Sequence, residues 1–195
     1  MMAERMRALL LLSLTALAPG AIAADPAAIR LEGLDGRPVA VLSGASGTAS
    51  VFVFASTECP IVNRYAPELR RIHDRFARTA RFFLVYADPA ESPEAVRRHG
   101  EAFGFGMPAV RDPRHELVRL AGVRVTPEVA VYAPGPDGPR LVYRGRIDDR
   151  NVDFGRTRPN AASHDLEDAL LAIASGRAGP LRTTPALGCA IPALE

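Results

Sequence analysis

Apolar residues follow two different spacings on either side of position 59, and each spacing predicts one kind of element. Residues 51–55, "VFVFA", form an unbroken run of β-branched and aromatic side chains, which is typical of a strand covered on both faces. The second pattern starts after Pro60 and predicts one face of a helix, formed by Ile61, Tyr65, Leu69, Ile72 and Phe76. Pro67 lies inside this pattern, and we expect it to bend the helix there.

Strands and helices alternate along the rest of the chain. A short hairpin is predicted over residues 29–41. Apolar runs predict four further strands, at 81–87, 107–110, 128–133 and 141–147. Helical spacing and end signals predict three further helices, at 92–104, 112–122 and 164–176. This order predicts an α/β fold with a central mixed β-sheet flanked by helices, followed by an extended C-terminal tail.

The first 23 residues have the pattern of a secretory signal peptide. A charged start is followed by an apolar run over residues 8–18 and by the small-x-small sequence Ala-Ile-Ala at 21–23. The run is shorter than the roughly 20 residues that a membrane-spanning helix needs. We therefore expect an exported protein, periplasmic or extracellular, without stable membrane insertion. The expected organisation is a leader over 1–23, one domain over 24–178 and a tail over 179–195.

The net charge and the placement of the histidines give no reason to expect a nucleic acid, an anionic lipid or a metal ion as a partner. The formal net charge of the 195-residue chain is only +2, which gives no electrostatic reason to expect nucleic acid or anionic lipid as a partner. The histidines have no metal-ligand spacing, so we expect no metal and no cofactor, and we expect solvated side chains for His99 and His115. One group of polar residues late in the chain is typical of a loop, and we prefer that interpretation to a carboxylate site. The group consists of Asp148, Asp149, Arg150, Asp153 and His164.

Cys59 is one of only two cysteines in the chain, and its position predicts a reactive sulfur. It lies between a buried strand and the first turn of a helix, where free N–H groups and the helix dipole favour a thiolate. Pro60 suits the first helical position, because its missing donor would have no partner there. The Glu58 carboxylate would oppose thiolate formation if it approached the sulfur.

Two segments resemble the thioredoxin-fold redoxins, a group that includes thioredoxin-like and peroxiredoxin-like proteins of the AhpC/TSA type. They are "FASTEC", ending at Cys59, and "GVRVTPEVAVY", which contains Thr126 and Pro127. The resemblance covers about residues 29–147 and implies a thioredoxin-like fold. It also implies that Cys59 is the nucleophile and that Thr126–Pro127 is a cis-proline pair facing it. "YRGRIDDR" and the late "GC" are similar to exported redoxins, some of which are fused to cytochrome c modules.

The chain departs from both branches of this group. Val62 replaces the second cysteine of the thioredoxin Cys-x-x-Cys pattern, so no local dithiol can form. Peroxiredoxins carry characteristic residues shortly before their reactive cysteine. In this chain only one feature of those residues is kept, the side-chain hydroxyl, which Ser56 provides. Peroxide reduction would also need an arginine near the sulfur, and Arg124 and Arg146 are equal candidates. The substrate is therefore open between protein thiols or disulfides and peroxides, with a c-type cytochrome or a thiol reductase as a possible redox partner.

Cys189 lies in a tail rich in proline and glycine, and the sequence leaves three roles open for it. It could resolve an oxidised Cys59, form a permanent structural disulfide with it, or stay unpaired. For the resolving role we expect a mobile tail, with Cys189 distant from Cys59 in the reduced protein.

Two functions remain. The first is an exported thiol–disulfide oxidoreductase or peroxide-reducing antioxidant protein that uses Cys59 and Cys189. The alternative is a non-catalytic thioredoxin-fold module that binds a partner or handles copper, with Cys59–Cys189 as a structural disulfide. Copper carriers of this fold present two closely spaced cysteines and a histidine, and the close cysteine pair is missing here.

Overall fold

The computed structural model describes residues 26–43 and 48–194, and the expected leader over 1–23 lies outside them. The helices are α1 (Pro60–Phe76), α2 (Pro93–Phe103), α3 (Glu116–Ala121) and α4 (Asp165–Ala174). The strands are β1 (Leu31–Gly33), β2 (Pro38–Val39), β3 (Ala49–Ala55), β4 (Ala80–Tyr86), β5 (Ala109–Arg111), β6 (Val125–Thr126), β7 (Glu128–Ala133), β8 (Arg140–Gly145), β9 (Asn151–Asp153), β10 (Arg156–Thr157), β11 (Arg182–Thr183) and β12 (Cys189–Ala190).

Eight of these strands form one mixed sheet, in the order β11-β8-β7-β3-β4-β5-β1-β2. β3 runs parallel to β4, and β4 runs parallel to β5. β7 is antiparallel to β3 and continues into β8 as a hairpin. The predicted α/β fold with a central mixed sheet is therefore confirmed, including its closing hairpin.

Two apolar layers cover the faces of the sheet. Alternate residues of β3 point to opposite sides, so Val51 and Val53 pack with Leu69 of α1 while Phe52 packs with Leu117 of α3. The apolar face predicted for α1 is buried, and the helix continues through Pro67 as far as Phe76. None of the helices within 26–43 and 48–194 is long and apolar enough to cross a membrane.

The expectation that His99 and His115 are solvated is wrong, because both side chains are buried. The His99 ring lies between the Tyr86 hydroxyl and Asn63 Oδ1, with each contact 2.7 Å long. His115 Nε2 donates to the Ala87 carbonyl at 2.9 Å. Each imidazole can be buried because it is hydrogen-bonded within the fold.

The C-terminal tail lies against the domain through two very short strands. β11 pairs in parallel with β8 at one edge of the main sheet, and β12 pairs antiparallel with β6. Strands of two residues have too little side-chain pattern to be recognised in a sequence. Their pairing nevertheless determines where Cys189 lies.

Replacing Leu69 with alanine tests the core between α1 and the sheet. Leu69 is fully buried, so Leu69→Ala should lower the free energy of unfolding by about 2–5 kcal/mol. Leu171 of α4 is 42% exposed, and Leu171→Ala should cost about 1 kcal/mol or less. Urea unfolding measures both values. Equal losses in the two variants would contradict the packing described.

Candidate functional site

The end of β3 and the start of α1 place Cys59 at the centre of a short, hydrogen-bonded loop. Cys59 is the N-cap residue of α1, and Pro60 occupies the first helical position as expected. The Cys59 N–H donates to the Ser56 carbonyl at 3.2 Å, and the Glu58 N–H donates to Ser56 Oγ at 3.3 Å. Ser56 therefore shapes the loop with both its backbone and its hydroxyl.

A second element crosses directly over the Cys59 sulfur. The Thr126–Pro127 peptide bond is cis, as expected, and the Cys59 thiol donates to the Thr126 carbonyl at 3.0 Å. Cys59 is buried, with only 1% of its surface exposed. The predicted juxtaposition of the strand–helix junction and the cis-proline segment is therefore present in the fold.

Cys189 lies beside Cys59 because β12 pairs with the strand that carries Thr126. Cys189 is the partner of Thr126 in the β6–β12 register, and Thr126 Oγ1 donates to the Cys189 carbonyl at 3.5 Å. Cys59 and Cys189 are both free cysteines, and each thiol is near enough to the other to shift its pKa. The expectation of a distant Cys189 in the reduced protein is therefore wrong, since the backbone pairing holds the tail against the site.

The two sulfurs have opposite pKa shifts. Burial alone would raise the pKa of Cys59, but polar interactions with the Cys189 thiol, the Val62 N–H and the Thr126 side chain lower it below the usual value for cysteine. Burial, the hydrogen bond with Cys59 and the charge of Cys59 raise the pKa of Cys189 to about 11. Cys59 is therefore the sulfur that ionises first, and the thiolate is the nucleophilic form.

The other candidate residues lie further from the chemistry. Glu58 is exposed and is not among the main contributors to the pKa shift of Cys59. Arg124 is exposed, and its carbonyl accepts the Ile191 N–H at 3.0 Å. The Arg146 guanidinium is held by Asp165 at 2.8 Å. In the described part of the chain, no hydrogen bond joins Arg124 or Arg146 to the Cys59 sulfur.

Two buried groups that the sequence did not indicate support the loop and the helix. Glu91 Oε1 accepts the Thr57 N–H at 2.6 Å, so the segment before α2 fixes the loop that precedes Cys59. Tyr65 donates its hydroxyl to Asp148 at 2.5 Å, which joins α1 to the loop after β8. The predicted loop holds for residues 148–150, but Asp153 lies in β9, His164 is the N-cap of α4, and the burial of Asp148 is not indicated by the sequence. These partners are 34 and 83 positions apart, so only the fold shows them together.

Glu68, His164 and Glu167 bring possible metal-ligand atoms within 4.8 Å of one another. Both carboxylates already have arginine partners, because Arg71 contacts Glu68 and Glu167. The hydrogen bonds with Arg71 make the largest contribution to the lowered pKa values of the two carboxyl groups. The cluster is accounted for as an ion-pair network between α1 and α4.

Replacing Gly188 tests whether the β6–β12 pairing holds the tail. A Cβ at this position would lie 2.6 Å from the Thr126 carbonyl carbon, so the strands must separate to admit it. Gly188→Ala should speed hydrogen exchange of the Ile191 amide by about tenfold or more, because overpacking costs about 1–3 kcal/mol. Gly179→Ala is the matched control, since its Cβ would meet nothing within 4 Å. Similar exchange in the two variants would contradict this account of the tail.

Removing the Cys189 thiol should raise the pKa of Cys59, because that thiol is the largest of the interactions that lower it. Cys189→Ala should therefore leave less Cys59 thiolate at neutral pH. Cys189→Ser, which keeps a hydrogen-bond donor, should have a smaller effect. The ultraviolet absorbance of the thiolate, followed against pH, measures the shift. Glu58→Gln should leave the titration unchanged, and a lower pKa in that variant would restore a role for the carboxylate.

Known structures share this arrangement of the chain. A conserved protein from Geobacillus kaustophilus is 26% identical, with a TM-score of 0.66 over 83% of this chain and 86% of that one. A secreted Mycobacterium tuberculosis disulfide oxidoreductase, homologous to Escherichia coli DsbE, is 18% identical, with a TM-score of 0.51 over 77% and 97%. The Xanthomonas campestris bacterioferritin comigratory protein, studied for alkyl peroxide reduction, is 17% identical, with a TM-score of 0.54 over 78% and 94%.

No curated protein matches the chain by sequence at a significant level. The sequence model of one protein family does match, over residues 22–138. That range contains both segments that resemble the thioredoxin-fold redoxins. Cys59 lies in one of them and Thr126–Pro127 in the other. The family match supports a redox function in general terms, and the neighbouring structures share the fold. The chain belongs to the AhpC/TSA family.

Proposed function

We propose that this protein is an exported thiol-based redoxin in which Cys59 and Cys189 cycle between a dithiol and a disulfide. The observation that carries the proposal is that β12 places Cys189 opposite Thr126, whose carbonyl accepts the Cys59 thiol at the start of α1. A local Cys-x-x-Cys pair is absent because Val62 occupies the second position, and the tail supplies the second thiol in its place. We propose thiol–disulfide exchange as the reaction.

The first step is attack by the Cys59 thiolate on a substrate disulfide. A bond forms between Cys59 and one substrate sulfur, the substrate S–S bond breaks, and the other substrate sulfur leaves as a thiolate. Cys59 suits this step because its lowered pKa increases the fraction of thiolate at a given pH. The product is a mixed disulfide that still holds half of the substrate.

The second step is attack by Cys189 on the Cys59 sulfur. The charge of Cys59 helps to raise the pKa of Cys189 in the dithiol form. That charge disappears when Cys59 enters the mixed disulfide, so the pKa of Cys189 falls and its proton passes to the departing thiolate. The Cys59–Cys189 bond forms, the mixed disulfide breaks, and the substrate leaves as a dithiol. The protein is oxidised by two electrons and the substrate is reduced by two.

Because Cys59 is buried, part of the tail must move before a protein substrate can reach its sulfur. A protein disulfide can reach the sulfur only when residues 188–191 move away from β6, because that segment covers Thr126 and Cys59. The very short β12 has few hydrogen bonds to lose, so this opening involves a small part of the fold. In the reverse reaction the Cys59–Cys189 disulfide would oxidise a dithiol substrate, and that substrate would reach Cys59 through the same opening.

Peroxide reduction is the second candidate, and the AhpC/TSA match favours it. The Cys59 thiolate would attack the O–O bond, releasing an alcohol or water and leaving a sulfenic acid. Cys189 would then form the disulfide and release water. A peroxide is small enough to enter with little movement of the tail, but no arginine contacts Cys59 in the described part of the chain. We therefore place this reaction second.

The proposal also includes export of the protein and a redox partner that returns electrons to it. The leader pattern over 1–23 supports export of a domain over 24–178 with its tail over 179–195. An exported dithiol needs an electron donor outside the cytosol, and a thiol reductase can return two electrons to the Cys59–Cys189 disulfide. A c-type cytochrome is the alternative partner.

The roles of the two thiols can be separated by serine variants. Mass spectrometry of the mature protein, reduced and then exposed to a protein disulfide or to peroxide, should show the Cys59–Cys189 bond. Cys189→Ser should leave the first attack intact, so that a mixed disulfide accumulates with the disulfide substrate or sulfenic acid with peroxide. Cys59→Ser should abolish both reactions. The faster of the two oxidants in the wild-type protein identifies the substrate class.

A structural disulfide would give a different pattern. In that case Cys189→Ser would lower the melting temperature and leave turnover unchanged, and the resolving role would be wrong. A slow reaction of the wild-type protein with both oxidants, no faster than free cysteine, would remove the enzyme proposal as a whole.

A further inference from the structure

A pocket of about 180 Å³ opens between α1 and the β9–β10 hairpin. It is separate from the thiol pair, and its walls are strongly basic. Three arginines line it from three parts of the chain: one from α1, one from the loop after β8 and one that follows β10. No carboxylate is among the described residues of its wall. The wall includes Arg64, Tyr65, Arg150, Asn151, Thr157 and Arg158.

The hairpin holds two of these arginines beside each other. The Arg158 N–H donates to the Arg150 carbonyl at 2.8 Å, and Asn151 pairs with Thr157 in the β9–β10 register. The Arg150 guanidinium also lies over the Tyr65 ring, 5.0 Å from its centroid. Neighbouring like charges repel each other. The fold therefore positions positive charge in this pocket at a cost in stability that an anion would offset.

The acidic residues nearby neutralise only part of this charge. Asp148 binds Arg150 Nε at 2.7 Å, and Asp149 binds Arg158. Arg150 Nη2 is buried without a hydrogen-bond acceptor, since the carboxylate oxygen of Glu68 is 3.8 Å away. Arg64 forms no ion pair with any residue in 26–43 or 48–194. The pocket thus retains guanidinium donors without acceptors.

We propose that this pocket binds a compact oxyanion, the phosphate or carboxylate group of a small molecule. A guanidinium offers paired N–H donors in a plane that matches these groups, and it stays charged at all physiological pH values. Asn151 and Thr157 add neutral hydrogen-bonding groups at the same wall. Arg64 is positioned to complete the site from α1 when the anion is present.

The anion pocket adjoins the thiol site. Tyr65 and Asn151 also line a narrow cleft that extends to Pro127, the residue after Thr126. An anion bound between the arginines would therefore lie at one end of a cleft whose other end is lined by Pro127 and Leu187. The binding itself requires no thiol chemistry, so it can be tested independently of the proposed redox function.

Titration calorimetry with inorganic phosphate and, separately, with succinate tests the proposal on the mature wild-type protein at low ionic strength, where exposed charges are least screened. We expect saturable binding of at least one probe, and the preferred probe distinguishes phosphate from carboxylate recognition. Arg64→Gln should weaken that binding about tenfold, the value of one hydrogen bond to a charged group. Arg64 is exposed and unpaired among the described residues, so its replacement should leave the fold intact.

Arg70→Gln is the matched control, because Arg70 is an exposed arginine of the same helix outside the pocket. It should bind the probe as the wild type does. Amide NMR shifts on titration should concentrate at Asn151 and Thr157. No saturable binding of either probe, equal weakening by Arg64→Gln and Arg70→Gln, or shifts confined to other regions would each overturn the proposal.

Discussion

The antiparallel pairing of β12 with β6 is the constraint on which the candidate site depends. Thr126 takes part in both halves of the site, because its carbonyl accepts the Cys59 thiol and its strand pairs with β12, which carries Cys189. One residue thus sets the position of two sulfurs that come from opposite ends of the fold. Without the pairing, Cys59 would stand alone at a helix N-terminus and the tail would supply no second thiol.

The same pairing makes the two thiols chemically unequal. Each sulfur acts on the other, and the interaction lowers the pKa of Cys59 while it raises the pKa of Cys189. Such asymmetry makes Cys59 the more readily ionised of the two thiols. The asymmetry depends on backbone geometry, since the β6–β12 pairing places Cys189 beside the Thr126 carbonyl that accepts the Cys59 thiol.

The features that sequence could predict are those encoded locally. The unbroken apolar run of β3 and the regular apolar face of α1 specify their own elements, and Pro60 marks the junction at which Cys59 lies. The resemblance supplied the cis bond before Pro127, which the fold confirms. Each of these inferences needed only a few neighbouring residues or one recognised motif.

The features that sequence missed depend on partners far along the chain. His99 is buried because Tyr86 and Asn63 satisfy its ring, and nothing in its own neighbourhood indicates those partners. The tail was expected to be mobile because proline and glycine dominate it, yet two short pairings outweigh that local tendency. The arginine pocket likewise needs three separate segments to meet, and its residues have no common motif.

The sequence separation of the thiols has a consequence for biogenesis. Cys59 and Cys189 are 130 positions apart (189 minus 59), so the β6–β12 pairing that brings them together is a contact of long range in the sequence. Contacts of such long range form late in folding, because closing the intervening loop is costly in entropy. With two cysteines the chain has only one intramolecular pairing available. In an oxidising environment, this chain could therefore form only one internal disulfide, between Cys59 and Cys189, and no internal mispairing would be available to it.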